Sequence, residues 1–123
     1  MKKMIALATV AMGLAFAGNA LAHGSKAKHG GILQSAGDVS FELVSKDGST
    51  TIYVDDHGKD LSTAGMSGTL TVLQGTRKSV LPLAAAGANT LVAKGPTLAR
   101  GNKAVAAITF ANKDVVNVRF SVK

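Results

Sequence analysis

The stretch AVAAITFANKDVVNVRFSV, residues 104–122, shows the hydrophobic period that decides the fold. In its second half, apolar and polar residues alternate: Val116, Val118, Phe120 and Val122 on one side, Asn117, Arg119 and Ser121 on the other. A period of two places the apolar side chains on one face of a β-strand. Residues 104–110 form a second apolar run, and 111–114 have the composition of a turn. The stretch therefore predicts a β-hairpin.

The same period recurs earlier in the chain. Predicted strands lie at 39–44, 51–54, 68–73, 80–83 and 91–94. Turn residues separate them, most clearly at Lys46-Asp47-Gly48-Ser49 and Gln74-Gly75-Thr76-Arg77. About seven short strands with regular turns favour an all-β fold, an antiparallel β-sandwich of immunoglobulin or cupredoxin type.

Three further features refine this fold. Phe41, Phe110 and Phe120 fall on the apolar side of their strands and are predicted core residues. Pro82 has no backbone N–H, so it indicates a strand end or a sheet edge. The alanine-rich run 84–88 lies between Pro82 and Gly87, which limit it to about one helical turn.

The amino-terminal residues have the organisation of a secretory signal peptide. Lys2 and Lys3 precede the apolar run 4–17, and Ala20-Leu21-Ala22 offers small residues for cleavage. The run is shorter than the roughly 20 apolar residues that cross a membrane. Cleavage after Ala22 would make His23 the first residue of a periplasmic protein without a membrane anchor. The expected organisation is a signal peptide at 1–22, a flexible histidine-containing tail at 23–30 and a single β-sandwich domain at 31–123.

Composition removes several classes of function. The chain has no cysteine, which excludes disulfides, thiolate metal sites and cysteine catalysis. Gly65-Met66-Ser67-Gly68 is too short for a nucleophile elbow. Asp55 and Asp56 are adjacent, so a strand would point them to opposite faces and not pair them for acid–base work. We therefore expect no enzyme.

The charge balance is basic. Without Lys2 and Lys3, twelve basic residues remain against seven acidic ones, a balance of +5. These charges are scattered and not gathered into a run, which is typical of a solvated surface. The few aromatic residues are predicted to face inward, so a stacking platform for nucleic acid is not expected.

The three histidines, His23, His29 and His57, each stand beside glycine. Imidazole is a common ligand for copper, zinc and nickel, so a metal site is one interpretation. The other is that they are ordinary loop residues. Asp55 and Asp56, which directly precede His57, could add a carboxylate oxygen to such a metal site.

Two arrangements of a copper site are open. His23 at a free amino terminus could chelate Cu(II) through its α-amine and ring, with His29 or His57 completing the site. Alternatively, His29, His57 and the thioether of Met66 could bind Cu(I), because sulfur favours the softer ion. We favour the second arrangement, with His23 joining it. Met66 could instead simply plug the open end of the sandwich.

Residues 29–61 resemble a known family. His29-Gly30-Gly31 is followed by a strand carrying Glu42-Leu43, and then by Tyr53-Val54-Asp55 and a Gly58-Lys59 turn. This order is similar to the small β-rich periplasmic domain in adaptor subunits of heavy-metal efflux pumps. The chain has no room for the other domains of such adaptors. The resemblance implies a free-standing periplasmic domain linked to metal handling, with His29 and His57 as its ligands.

The sequence thus predicts an exported, non-catalytic β-domain that binds a transition metal, copper first and zinc or nickel next. Its role would be that of a chaperone, a buffer or an accessory to efflux-pump components. The alternative is a structural or interaction module that binds an acidic envelope partner through its basic surface.

The first testable expectation concerns the amino terminus. Because Ala20-Leu21-Ala22 fits a signal-peptidase site, protein recovered from the periplasm should begin at His23. Intact-mass spectrometry measures this directly, and a mass that still contains residues 1–22 would contradict it.

Overall fold

The computed structural model describes residues 26–123, and the described strands pair antiparallel. The nine strands are β1 (Ile32–Ala36), β2 (Val39–Lys46), β3 (Ser49–Asp56), β4 (Lys59–Asp60), β5 (Ser67–Gln74), β6 (Arg77–Ala85), β7 (Thr90–Lys94), β8 (Lys103–Thr109) and β9 (Val115–Ser121). No helix occurs within residues 26–123. The predicted all-β antiparallel fold is therefore confirmed.

The strands form one continuous sheet that curls into a nearly closed barrel. Its order is β1-β2-β3-β7-β6-β5-β8-β9, with the short β4 attached to β3. The outermost strands β1 and β9 lie against each other, which brings the two ends of the sheet together. The chain crosses from β3 to β5 and from β7 to β8, so segments distant in sequence become neighbours.

Tight turns set the register of the first hairpins. In the β2–β3 turn, Asp47 and Gly48 have φ values of 53° and 76°. In the β3–β4 turn, His57 and Gly58 have φ values of 53° and 88°. Two successive positive φ angles define the two-residue hairpin turn that matches the right-handed twist of β-strands. The β2–β3 turn places Lys46 opposite Ser49.

The barrel interior is filled by alternate side chains of seven strands and by two loop residues, while Ile32 and Ala36 of β1 are partly buried against it. The buried core consists of Phe41, Leu43, Ile52, Val54, Met66, Leu70, Val72, Leu83, Leu91, Ala93, Leu98, Ala104, Ala106, Ile108, Val118 and Phe120. Phe41 and Phe120 are fully buried, as predicted. Phe110 is only partly buried, and its ring meets Phe41 edge-on with centroids 6.4 Å apart. It closes one end of the core, since β8 stops at Thr109.

All seven predicted strands are present, and two more were not anticipated. Residues 32–36, which form β1, have no apolar alternation, and β4 has only two residues. Pro82 lies inside β6, at the point where pairing with β7 stops: only Ala84 and Ala85 have partners there. This side of β6 is an edge, where a residue without an N–H fits. In the alanine-rich run, Ala84 and Ala85 belong to β6, and residues 86–88 form the connection to β7 without a helical turn.

Residues 26–123 contain no helix long and apolar enough to cross a membrane. The predicted signal peptide and His23 lie outside the described residues.

Truncating a core phenylalanine should destabilise the barrel strongly. Phe120 is 1% exposed in β9, so Phe120→Ala leaves a cavity that should reduce the free energy of unfolding by about 3–5 kcal/mol. Val115, in the same strand, is 59% exposed, and Val115→Ala should change it by no more than about 0.5 kcal/mol. Urea unfolding followed by circular dichroism measures both variants, and equal effects would mean that the faces of β9 are assigned wrongly.

Candidate functional site

The candidate site lies on the outer face of β2 and β3, centred on Glu42. Phe41 and Leu43 point into the core, so strand alternation turns Glu42 outward. Glu42 is nevertheless only 4% exposed. It is buried because residues 28–31 fold back over the outside of the sheet, and we call this segment the strap.

The Glu42 carboxylate accepts four hydrogen bonds from the strap. Its Oε1 accepts from the Lys28 N–H at 2.9 Å and faces His29 Nδ1 at 3.0 Å. Its Oε2 accepts from the N–H groups of His29 and Gly31, each at 2.8 Å. A buried carboxylate is stable only when such donors replace water. The strap and Glu42 therefore hold each other in place.

Each glycine of His29-Gly30-Gly31 is required for a different steric reason. Gly30 has a φ of 73°, a left-handed conformation that turns the chain towards β1. A Cβ at Gly31 would lie 2.3 Å from the Leu43 carbonyl oxygen, so only glycine fits this close to β2. The motif thus brings three N–H groups onto one carboxylate.

Two contacts hold the His29 ring in place. It stacks on Tyr53 of β3, with centroids 3.6 Å apart and planes 7° from parallel. Its Nδ1 must be the donor to Glu42, because an ionised carboxylate only accepts. In the neutral imidazole, Nε2 then carries the lone pair. The His29 side chain is 40% exposed, so solvent reaches part of this ring.

Lys28 extends the site along β3. Its Nζ lies 3.3 Å from Asp55 Oδ2 and donates to the Gly58 carbonyl at 3.2 Å. The other oxygen, Asp55 Oδ1, is buried and has no hydrogen-bond partner within residues 26–123. Asp55 and His29 both line a small cavity of about 10 Å³, together with Glu42 and Tyr53. That volume is about one water molecule.

His57 belongs to the β3–β4 turn. Its Nδ1 is 2.6 Å from Asp56 Oδ1, and its Nε2 is 3.5 Å from Asp38 Oδ1. The side chain is 69% exposed. His57 is connected to the strap only indirectly, through the contact of Lys28 with the neighbouring Gly58.

The sequence-predicted ligands are therefore distributed over several places. His29 and Asp55 share one cavity, whereas His57 and Asp56 pair in the exposed turn. Met66 is 6% exposed within the core, in the position expected of a residue that plugs the barrel end. Within residues 26–123, no group of three or more histidine or acidic side chains is arranged to hold a metal ion.

The electrostatics of Glu42 follow from its contacts. Burial by itself raises the pKa of Glu42, but the hydrogen bonds from the Gly31 N–H, the His29 ring and the Lys28 and His29 N–H groups outweigh it. The net pKa lies below the ordinary value of 4.5. The folded protein therefore favours the ionised carboxylate.

Sequence reasoning missed the centre of this site. Glu42, Tyr53 and Lys28 were not candidate functional residues, because a strand glutamate facing outward is ordinarily solvated. The signal in the sequence that could have indicated the site was the His29-Gly30-Gly31 motif, because it offers backbone N–H donors for which the sequence shows no evident acceptor.

Comparisons with models of known protein families, with curated proteins and with solved structures found no match to this chain. The strap and its contacts are therefore the basis on which a function can be proposed. In the strap, His29 contacts both Glu42 and Tyr53.

Replacing Glu42 with an uncharged residue should remove a pH-dependent contribution to the free energy of unfolding. Because the folded pKa is lowered, the ionised carboxylate stabilises the fold above the ordinary pKa of 4.5, and this contribution is lost as pH falls through the folded value. Glu42→Gln should therefore be less stable than wild type at pH 7, with the difference shrinking as pH falls below 4.5 towards the lowered pKa of the folded state.

Urea unfolding at a series of pH values measures this difference. Asp47→Asn is the matched control, since Asp47 is an exposed turn carboxylate with no ion pair within residues 26–123. A pH-independent difference for Glu42→Gln, or an equal effect of Asp47→Asn, would contradict the assignment.

Proposed function

We propose that the protein is an exported transition-metal-binding domain, with copper as the first candidate and zinc or nickel next. The observation that carries the proposal is the contact of His29 Nδ1 with the buried Glu42 carboxylate at 3.0 Å. Metal-binding histidines commonly donate their second ring nitrogen to a carboxylate, which fixes the tautomer and makes the ligand more basic. His29 Nε2 would be the anchoring donor, and stacking on Tyr53 limits the movement of its ring.

Asp55 would supply an oxygen donor. Its Oδ1 is buried without a hydrogen-bond partner within residues 26–123, and Asp55 lines the same cavity as His29. An unpaired buried carboxylate oxygen is unfavourable, and a bound cation would satisfy it. Nitrogen and oxygen donors together suit Cu(II) and zinc.

The remaining donors would come from His23. If cleavage occurs after Ala22, His23 offers an α-amine and a ring nitrogen, and it precedes His29 by six residues. Such a segment can extend about 20 Å, so its length permits His23 to contact the same ion. Met66 is buried in the core, and a thioether site would require it to leave that position. The proposal therefore concerns Cu(II) and gives Met66 a packing role.

In this proposal the domain acts as a chaperone, a buffer or an accessory to heavy-metal efflux. The support is the resemblance of residues 29–61 to the periplasmic domain of efflux adaptors. The residues of that resemblance are also those of the cluster, since His29 and Tyr53 stack and Glu42 joins them.

Removing the His29 ring should abolish tight Cu(II) binding while the strap stays in place. In His29→Asn, the side-chain amide can still donate to Glu42 from about the position of Nδ1, but the Nε2 donor is gone. We expect at least about a tenfold loss of Cu(II) affinity, because a nitrogen ligand of Cu(II) is lost. Isothermal titration of the mature protein measures the affinity, and electron paramagnetic resonance counts the nitrogen ligands.

His57→Asn is the matched control and should leave Cu(II) affinity within about twofold, because His57 lies in the exposed turn. One alanine inserted before His23 should remove nitrogen ligands from the spectrum. The thermal shift caused by copper provides a second measurement: an excess of 100 times Kd should add about 2.7 kcal/mol of stability. No copper-dependent shift, or equal losses in both asparagine variants, would contradict the proposal.

A further inference from the structure

The fold brings more than half of the described lysines and arginines, which are scattered in the sequence, to one end of the barrel. The end that carries the β2–β3 turn, the β5–β6 turn and residues 94–103 is called the basic end. Its exposed cations include Lys46, Arg77, Lys78, Lys94, Arg100 and Lys103. The exposed carboxy-terminal Lys123 adds another. Asp47 is the single acidic residue that the described chain places there.

Hydrogen bonds join these segments into one surface. The Gly95 N–H donates to the Gly48 carbonyl at 3.0 Å, and the Leu98 N–H donates to Ser45 Oγ at 2.8 Å. On the other side, Asn102 accepts from Gln74 Nε2 at 3.2 Å and, through its carbonyl, from the Val122 N–H at 2.9 Å. The segments that carry the cations are therefore held together, although they come from distant parts of the chain.

The opposite end of the barrel has a different charge balance. It holds five of the seven acidic residues, Asp38, Asp55, Asp56, Asp60 and Asp114. Within residues 26–123 no cation of the basic end forms an ion pair, whereas Lys28 pairs with Asp55 at the other end. Separated charges of this kind produce a field that orients the molecule towards an anionic surface.

Apolar side chains lie among the cations of the basic end. Leu73 is 36% exposed, and the sheet register places Lys78 and Lys103 directly opposite it on the two neighbouring strands. Directly opposite residues lie on the same face, so Leu73 has a lysine as its cross-strand neighbour on each side. Val80 is 59% exposed and lies two residues beyond Lys78 on that face.

We propose that the basic end docks the protein peripherally on an anionic lipid bilayer. Its lysines and arginines would meet the headgroup phosphates, and Leu73 and Val80 would enter the interfacial layer. The cations are spread around the end of the barrel on four strands and a crossing segment, and a two-dimensional layer of anions can contact all of them. This proposal is independent of the metal site, since His29 and Glu42 lie elsewhere.

A nucleic acid fits this surface less well. Single-stranded nucleic acids need aromatic side chains on which bases can stack. The described aromatic rings are the three core-facing phenylalanines and Tyr53, which is covered by His29. The apolar side chains at the basic end are aliphatic, and these suit the acyl and headgroup boundary of a bilayer.

Co-sedimentation with vesicles tests the proposal. The mature protein should bind phosphatidylcholine vesicles that contain phosphatidylglycerol, should not bind vesicles of phosphatidylcholine alone, and should dissociate as salt is raised. Each neutralised lysine at the surface should weaken binding about fivefold, so Lys78→Gln with Lys103→Gln should weaken it roughly 25-fold.

The matched control is Lys59→Gln with Lys113→Gln, which removes the same charge from the opposite end. Both control lysines are exposed and unpaired within residues 26–123, and binding should change by less than about twofold. Equal losses in the two double variants would overturn the proposal, because net charge alone would explain them. Absence of binding to phosphatidylglycerol vesicles at low salt would also overturn it.

Leu73→Ser separates a bilayer from a soluble polyanion. It should weaken vesicle binding several-fold and leave the binding of polyglutamate unchanged. If polyglutamate binds as tightly as the vesicles and Leu73→Ser affects neither, the partner is an acidic polymer and the proposal is wrong. Circular dichroism of each variant confirms that the strands are retained.

Discussion

The Glu42 carboxylate is a charged group buried on the outside of a sheet. It is only 4% exposed, so the four donors of the strap must replace most of its contacts with water. This requirement determines the path of residues 28–31 and the need for Gly31 against Leu43. It also fixes the ring of His29 and brings Lys28 to Asp55. The candidate site is therefore a consequence of a single buried charge.

The molecule has two buried layers of different kinds, and the strap covers the second of them. Inside the barrel, large aliphatic and phenylalanine side chains pack without polar partners. Outside β2 and β3, a smaller polar layer forms around Glu42 and the His29–Tyr53 stack. A polar layer is stable only if every member is paired, and Asp55 Oδ1 is the exception. The proposed metal site depends on this unpaired oxygen and on the imidazole of His29, since both residues line the same small cavity.

The two proposals use separate parts of the fold. The strap lies over the first hairpin, whereas the basic end is built by the turns and the crossing segment at the other end of the strands. A barrel allows this separation, because its ends are formed by loops that can vary while the strands keep the core. Docking through one end would leave the histidine side free.

The sequence by itself determined the class of fold and much of the core. Period-two alternation in residues 104–122 specified β9 and its buried Phe120, because a one-residue slip would expose the whole apolar set. The strand β1 escaped prediction because its residues do not alternate, and its place in the sheet is fixed by pairing with β2. Only the tertiary structure decided the site. Glu42 has the pattern of a solvated strand residue, and nothing local indicates that a segment eleven to fourteen residues upstream returns to cover it. The basic end could not be predicted from the sequence either, since its cations are far apart in sequence and become neighbours through the strand crossings.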